Sequence, residues 1–136
     1  MGLYNINKLF FKNKSIIFLF ICFTASAAIV KNYVVHYEIT ELLEVLGSSD
    51  CKFNRNGSWY SADQSKKHLL SKLNYIETRT VLNNTEQFID LGASKSSWTG
   101  RPYLVKCGSE VEIESKVWLL DRLKNMRASK SLTVPR

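Results

Sequence analysis

The side chains with the most chemical potential in this sequence are concentrated in one stretch, SKSSWTGRPYLVKC, which runs from Ser94 to Cys107. Hydroxyl groups, cationic side chains and aromatic rings stand close together there, as they do in reactive loops and in contact surfaces. A serine nucleophile needs a neighbouring base, and this stretch contains neither a histidine nor a carboxylate. Its composition therefore favours a contact surface, or a turn that leads into a strand, over a catalytic loop.

Metal ligation has little support in the sequence. His36 and His68 are far apart, and neither belongs to an H-x-x-x-H or C-x-x-C pattern. Each histidine lies beside the apolar stripe of a predicted helix, where surface or edge packing explains it. We predict that the protein holds no metal and no cofactor.

Hydrolase motifs give an equally weak signal. No G-x-S-x-G elbow is present, and the S-x-x-K string from Ser49 to Lys52 precedes a predicted strand instead of starting a helix. Three glutamates alternate along the chain after Cys107; they are Glu110, Glu112 and Glu114. This alternation fits the solvent-exposed face of an edge strand better than a catalytic pair. We therefore predict that the protein is not an enzyme.

Aromatic residues and arginine, which are enriched at binding surfaces, flank two predicted turns. They are Trp59, Tyr60, Trp98, Arg101 and Tyr103. Two interpretations stay open. Either these side chains form a binding surface, or the tryptophans pack over a thin sheet and cover a disulfide.

The N-terminus has the pattern of a secretory signal. Lysines without acids precede an uncharged apolar run from Ser15 to Ala28, and Ala25-Ser26-Ala27 supplies a cleavage site. We predict a cleaved signal peptide at residues 1–27, one domain at 28–127 and a loose tail at 128–136; an uncleaved N-terminal anchor is the alternative. Cleavage removes three lysines and lowers the formal net charge from +7 to +4, too weak an excess to indicate nucleic-acid binding.

The cysteine count fits export. Cys22 leaves with the signal, and Cys51 and Cys107 remain as an even pair in an oxidising compartment. We predict a disulfide between them, which closes a long loop and contributes about 4 kcal/mol in the chain-entropy model. A free nucleophilic thiol is the alternative, but the sequence supplies no base for it.

Apolar periodicity and capping signals predict about four helices. The first spans Tyr33 to Leu46, and the second begins after a Ser61 capping box and ends near Glu77 or Thr78. A short third helix follows Asn84, with Phe88 and Leu91 as its apolar face, and Gly92 ends it; Ser115 caps the last helix.

Two short hairpins supply the strands. Asn56-Gly57 predicts a two-residue turn between Cys51–Asn54 and Ser58–Tyr60. Tyr103–Lys106 and Glu110–Ile113 are predicted to form the second antiparallel pair. The fold class is α+β, with a small antiparallel sheet packed against helices and pinned by one disulfide.

The strings CKFNRNGSWYSADQSKKHLLSKL and FIDLGASKSSWTGRPYLVKCGSEVEIESKVWLLDRL resemble the YfeK-like family of small exported bacterial proteins, whose function is unknown. The similarity covers about Ile39 to Leu123. It rests on two spaced motifs, Cys-x-Phe-x-Arg-Asn-Gly-x-x-Tyr and Ser-Lys-Ser-Ser-x-x-Gly-x-Pro-Tyr-Leu-x-x-Cys, on His68-Leu69 and Lys72-Leu73 between them, and on a final Ser-x-x-Trp-Leu.

The resemblance implies a bacterial exported location and a single domain with a cysteine pair, but no activity. Its polar positions suggest a surface near the disulfide, to which we add the aromatic residues above. The candidate binding surface is Arg55, Trp59, Tyr60, His68, Ser96, Ser97, Trp98, Arg101 and Tyr103. A structural pairing of Arg55 with Asp90 is the alternative for that arginine.

We expect a non-catalytic binding module of the bacterial envelope, located in the periplasm, with an envelope protein or a peptidoglycan fragment as partner. An inhibitor or immunity protein against a cell-wall enzyme or toxin is the alternative, and a cell-wall hydrolase is a further one. We expect no nucleic-acid partner, and contact with the membrane only through the signal segment before cleavage. If that segment is not cleaved, the domain is anchored in the inner membrane.

Overall fold

The computed structural model of the protein describes residues 30 and 32–133. The chain divides into two units, Met1–Val34 and Val35–Arg136. The described residues of the first unit are helical and exposed. The predicted signal peptide and residues 134–136 of the predicted tail lie outside the described residues. In the described part of the chain, no helix is both long and apolar enough to cross a membrane.

Four α-helices and one π-helix form within the described residues. Helix α1 covers residues 32–47, α2 covers Ala62–Glu77, α3 covers Thr85–Phe88 and α4 covers Ser115–Thr133. The π-helix Ile89–Ala93 follows α3 directly. The number and order of the α-helices agree with the sequence prediction.

Four short strands form one antiparallel sheet in the order β2-β1-β3-β4. Strand β1 is Cys51–Arg55, β2 is Ser58–Ser61, β3 is Leu104–Cys107 and β4 is Ile113–Glu114. The two predicted hairpins are present, and the pairing of β1 with β3 joins them. The α+β class is therefore confirmed.

Local signals set the boundaries of the first hairpin and of α2. Asn56 and Gly57 have φ angles of 55° and 91°, the positive values that a tight two-residue hairpin turn requires at both positions. Ser61 then caps α2: its hydroxyl accepts from the amide of Gln64, and the Gln64 side chain accepts from the amide of Ser61. The hairpin thus passes into α2 without a connecting loop.

One face of the sheet packs into the hydrophobic core. Phe53 of β1 and Val105 of β3 are cross-strand partners on this face, and both are buried. The Trp118 ring meets Phe53 edge-on, with the centroids 5.6 Å apart. The predicted stripes of α1 and α2 are buried as well; they are Val35, Ile39, Leu42, Leu46, Ala62, Leu69, Leu73 and Ile76. The opposite face of the sheet carries the exposed partners Lys52 and Lys106.

The predicted disulfide is present. Cys51 begins β1 and Cys107 ends β3, and the two residues are direct cross-strand partners with Cα atoms 4.1 Å apart. The bridge therefore fastens the pairing that joins the two hairpins.

Three local predictions differ from the structure. Leu91 was expected on the apolar face of the third helix, but it is exposed, because the wider turn of the π-helix places Ile89, Gly92 and Ala93 inside instead. Gly92 was expected to end the third helix, but the π-helix continues through it to Ala93. Val111 is exposed and lies outside the last strand, which starts at Ile113. Helix α4 continues to Thr133, through part of the segment assigned to the tail.

Candidate binding cleft

A concave cleft of about 350 Å³ lies between the β1–β2 hairpin and α2. Phe53, Leu69 and the rings of Tyr60 and Tyr103 contribute apolar surface to its walls. Polar residues of the hairpin and of α2 complete the lining, among them Arg55, Gln64, Ser65, Lys67 and His68. We call this concavity the hairpin cleft. Its size, and its apolar walls with a few convergent polar groups, are typical of small-molecule sites.

The alternation of side chains along the strands decides which hairpin residues reach the cleft. Phe53 pairs with Tyr60, and Asn54 pairs with Trp59. Arg55 therefore shares the cleft face with Phe53 and Tyr60, whereas Trp59 lies on the open face of the sheet. The guanidinium carbon of Arg55 lies 4.7 Å from the centroid of the Tyr60 ring, and a hydrogen bond with Arg55 lowers the pKa of the Tyr60 hydroxyl.

A hydrogen-bond network joins the hairpin turn to the loop that precedes Tyr103. The hydroxyl of Ser96 is buried and accepts from the Asn56 side-chain amide at 3.3 Å and from the Thr99 backbone amide at 3.2 Å. The Thr99 hydroxyl in turn donates to the side-chain carbonyl of Asn56 at 2.6 Å. The backbone amide of Ser96 also donates to the carbonyl of Arg101, two residues before Tyr103, at 2.9 Å. Ser96 is thus a positioning residue for the Tyr103 wall of the cleft.

Two basic residues of α2 stand one turn apart on the side of the cleft. His68 lines it, and the ammonium nitrogen of Lys72 lies 5.3 Å from the centroid of the Tyr103 ring. Nε2 of His68 and Nζ of Lys72 are both buried and have no hydrogen-bond partner among the described residues. Unpartnered buried polar atoms are uncommon and call for an explanation.

The surroundings of the cleft disfavour positive charge on both side chains. Burial, together with repulsion from Arg55 and Lys72, lowers the pKa of His68. Burial and repulsion from Arg55 lower the pKa of Lys72 as well. Burial also raises the pKa of the Tyr103 hydroxyl, against the opposing effects of Arg55 and Ser96. The cleft therefore gathers basic groups without a compensating acid.

Within residues 30 and 32–133, the carboxylates that form ion pairs do so with cations other than Arg55 and Lys72. Lys67 lines the cleft, but its ammonium group is exposed and lies 2.8 Å from the carboxylate of Asp63. In the same part of the chain, neither Arg55 nor Lys72 takes part in an ion pair. The predicted alternative for Arg55 is wrong, because Asp90 pairs with Lys116 at 2.6 Å.

The structure separates the predicted binding surface into three groups. Arg55, Tyr60, His68 and Tyr103 line the hairpin cleft, and Ser96 supports it from behind. Trp59 is partly exposed on the open sheet face, beside Lys52 and Lys106. The third group consists of exposed residues of the loop before β3, namely Ser97, Trp98 and Arg101. Trp98 does not cover the sheet or the disulfide, since 95% of its surface is exposed.

The other histidine of the described residues, His36, has a structural partner. His36 lies 2.7 Å from the Glu77 carboxylate, between α1 and α2. Within the described residues, no group of three or more histidine, cysteine, aspartate or glutamate side chains is placed to hold a metal ion.

The sequence prediction missed Ser65, which lines the cleft, and Lys72, which lies next to the cleft residue Tyr103. A usable signal was present, since Ser65, His68 and Lys72 are spaced by three and four residues and so share one face of α2. The prediction considered His68 without the neighbours that helical spacing gives it.

Comparison with known proteins places the chain in a family. It is 41% identical over 66 residues to the uncharacterised protein YfeK of Salmonella typhimurium, a match that covers 48% of this chain and 53% of the relative. The chain thus spans about half the length of the curated relative that it matches. No solved structure matches it.

A family model described as a family of unknown function, DUF5329, matches residues 33–127, which include the sheet, the disulfide and every residue of the hairpin cleft. The YfeK resemblance noted in the sequence is confirmed by the match to that protein. The chain belongs to the DUF5329 family of unknown function.

Proposed function

We propose that this protein is an exported, non-catalytic binding protein of the bacterial envelope, and that it binds a peptidoglycan fragment in the hairpin cleft. One observation carries the proposal. The residues of the two family-like motifs, which are distant in the sequence, meet around a single cleft: Phe53, Arg55 and Tyr60 come from the first motif and Tyr103 from the second.

The dimensions of the cleft favour a small ligand over a protein partner. A volume of about 350 Å³ falls at the lower end of the range for small-molecule sites, whereas protein partners bury surfaces of about 800 Å² on each side. A muropeptide offers sugar and peptide groups to polar residues such as Gln64 and Ser65, and aliphatic side chains to Phe53 and Leu69.

The geometry around His68 supports binding over hydrolysis. A histidine that acts as a general base must lie within hydrogen-bond reach of the group that it deprotonates. Nε2 of His68 has no hydrogen-bond partner in the part of the chain that the structure describes, so no serine, threonine or tyrosine hydroxyl is paired with that nitrogen.

The experiment is to incubate the mature protein, isolated from the periplasm of bacteria that express the full chain, with a soluble peptidoglycan digest. Retained muropeptides are identified by ultrafiltration and mass spectrometry. The test variant is Ser65→Trp, which fills the cleft, and the matched control is Ser71→Trp on the same helix. Both serines donate a hydrogen bond to the backbone carbonyl four residues earlier, at 2.8 and 3.1 Å, so the two substitutions remove the same local interaction.

Retention of a muropeptide by the wild type and by Ser71→Trp, but not by Ser65→Trp, is the expected result. Equal retention by Ser65→Trp would place the ligand elsewhere, and retention by none of the three proteins would contradict a peptidoglycan ligand. Mass spectrometry of the same material tests export: a mature N-terminus at Ala28 is expected, and an intact Met1 would contradict cleavage.

A further inference from the structure

We infer that the hairpin cleft recognises the free carboxylate of its ligand, with Arg55 and Lys72 as the cationic partners and His68 as a hydrogen-bonding neighbour. This inference rests on the proposed binding function of the cleft and specifies the chemistry of the bound molecule.

The first step of the argument is the excess of unmatched cations. Arg55, His68 and Lys72 lie close enough for the charge of Arg55 to act on both of the others. The ion pairs of residues 30 and 32–133 leave Arg55 and Lys72 without a carboxylate. Buried charges are normally paired, since an isolated one is costly. An anionic ligand would supply the missing partner.

The second step concerns hydrogen-bonding capacity. The ammonium group of Lys72 has three donors, and none of them has an acceptor among the described residues. Nε2 of His68 is also buried and unpartnered. The aromatic ring of Tyr103, 5.3 Å from the ammonium group, attracts the cation but offers no carboxylate oxygen. Two carboxylate oxygens can accept several hydrogen bonds at once, so one such group can accept both from the Lys72 ammonium group and from His68 in the tautomer that carries its proton on Nε2.

The third step concerns the rest of the ligand. The carboxylate must be attached to an apolar body, because Phe53, Leu69 and the Tyr60 ring form the neighbouring walls. A peptide C-terminus with an aliphatic side chain has this combination of groups. Lys67 shows the contrast within the same cleft, since Asp63 already neutralises it and it is exposed.

The test uses a matched pair of probes, N-acetyl-leucyl-alanine and the same dipeptide with a C-terminal amide, titrated into the mature protein by calorimetry. The acid is expected to bind about tenfold more tightly than the amide, as is typical of a hydrogen bond to a charged group. Arg55→Gln and Lys72→Met are each expected to remove most of that difference. Lys66→Gln is the control, because this lysine of the same helix lies outside the cleft and pairs with Glu44 at 2.6 Å, and it is expected to keep the difference.

Equal binding of the acid and the amide by the wild type would overturn the inference while leaving the proposed binding function intact. An unchanged ratio in both Arg55→Gln and Lys72→Met would overturn it as well. Failure of both probes to bind at millimolar concentration also counts against a peptide carboxylate, whereas the muropeptide experiment tests the binding function separately. Circular dichroism and thermal unfolding confirm that each variant is folded.

Discussion

The ammonium nitrogen of Lys72 lies 5.3 Å from the centroid of the Tyr103 ring, buried and without a hydrogen-bond partner in the described part of the chain. The ring attracts the cation, but burial and the nearby Arg55 disfavour its charge. Binding sites often contain groups of this kind, which lower the stability of the free protein and are retained because they bind the ligand. This arrangement leads to a prediction about stability that is independent of any ligand.

Lys72→Met is expected to raise the free energy of unfolding of the ligand-free protein, by about 1 kcal/mol. The substitution keeps an unbranched side chain of similar length and removes an ammonium group that has no hydrogen-bond partner among the described residues. Urea denaturation of the two proteins measures the difference. Lys67→Met is the matched control, because this exposed lysine pairs with Asp63 on the same helix, and its effect is expected to be smaller and unfavourable. A loss of stability in Lys72→Met would mean that the attraction to the Tyr103 ring dominates.

Ser96→Ala is expected to destabilise the protein by about 1–2 kcal/mol. The substitution removes the acceptor for the Asn56 side-chain amide and for the Thr99 backbone amide in a buried setting, and unsatisfied buried groups cost about this much. Ser97→Ala changes the adjacent, exposed serine and is expected to have no measurable effect. Thermal and urea unfolding give both values; equal effects of the two substitutions would contradict the positioning role of Ser96.

Replacement of both Cys51 and Cys107 by alanine is expected to lower the free energy of unfolding by about 4 kcal/mol. The bridge joins residues that are 56 positions apart, and this is the chain-entropy contribution expected for such a loop. Chemical denaturation of the oxidised protein, the reduced protein and the double variant measures it. The reduced protein and the variant should agree. If the untreated protein reacts with a thiol label after unfolding, the bridge is not formed.

The stability of the protein is expected to fall as the pH drops below 4.5. Arg127 of α4 donates hydrogen bonds to Glu38 of α1 at 2.8 Å and to Glu86 of α3 at 2.6 Å. These interactions lower the pKa of both carboxyl groups from the ordinary value of 4.5, despite the opposing effect of burial. A carboxyl group whose pKa is lower in the folded state stabilises the fold at pH values above its unfolded-state pKa. This contribution is lost as the pH falls and the group becomes protonated in the folded protein.

Arg127→Met isolates this effect. The variant is expected to lose about 1 kcal/mol near neutral pH and to show a smaller further loss on acidification than the wild type. Lys124→Met, at an exposed position of the same helix, is the control and should keep the acid sensitivity of the wild type. Urea denaturation over a series of pH values measures all three proteins. Parallel curves for the wild type and Arg127→Met would refute the proposed source of the pH dependence.

Features that depend on neighbouring residues could be predicted from the sequence. Ser61 and Gln64 cap α2, and Asn56-Gly57 forms the hairpin turn, because the hydrogen bonds and backbone angles involved span only a few residues. The disulfide could be predicted by counting, since Cys51 and Cys107 are the pair that is left when the predicted signal peptide is excluded. Leu91 was misplaced because the α-helical period does not apply to a π-helix.

The sequence by itself determined the α+β class, the helices with clear caps and stripes, the disulfide and the residue types from which a binding surface could be built. Only the tertiary structure decided which of those residues meet. The pairing of β1 with β3 brings Tyr103 beside Arg55, and the packing of α2 adds His68 and Lys72. Separation along the chain carries no information about such contacts, because they depend on how the elements pack. The same packing excluded Trp59 and Trp98 from the cleft.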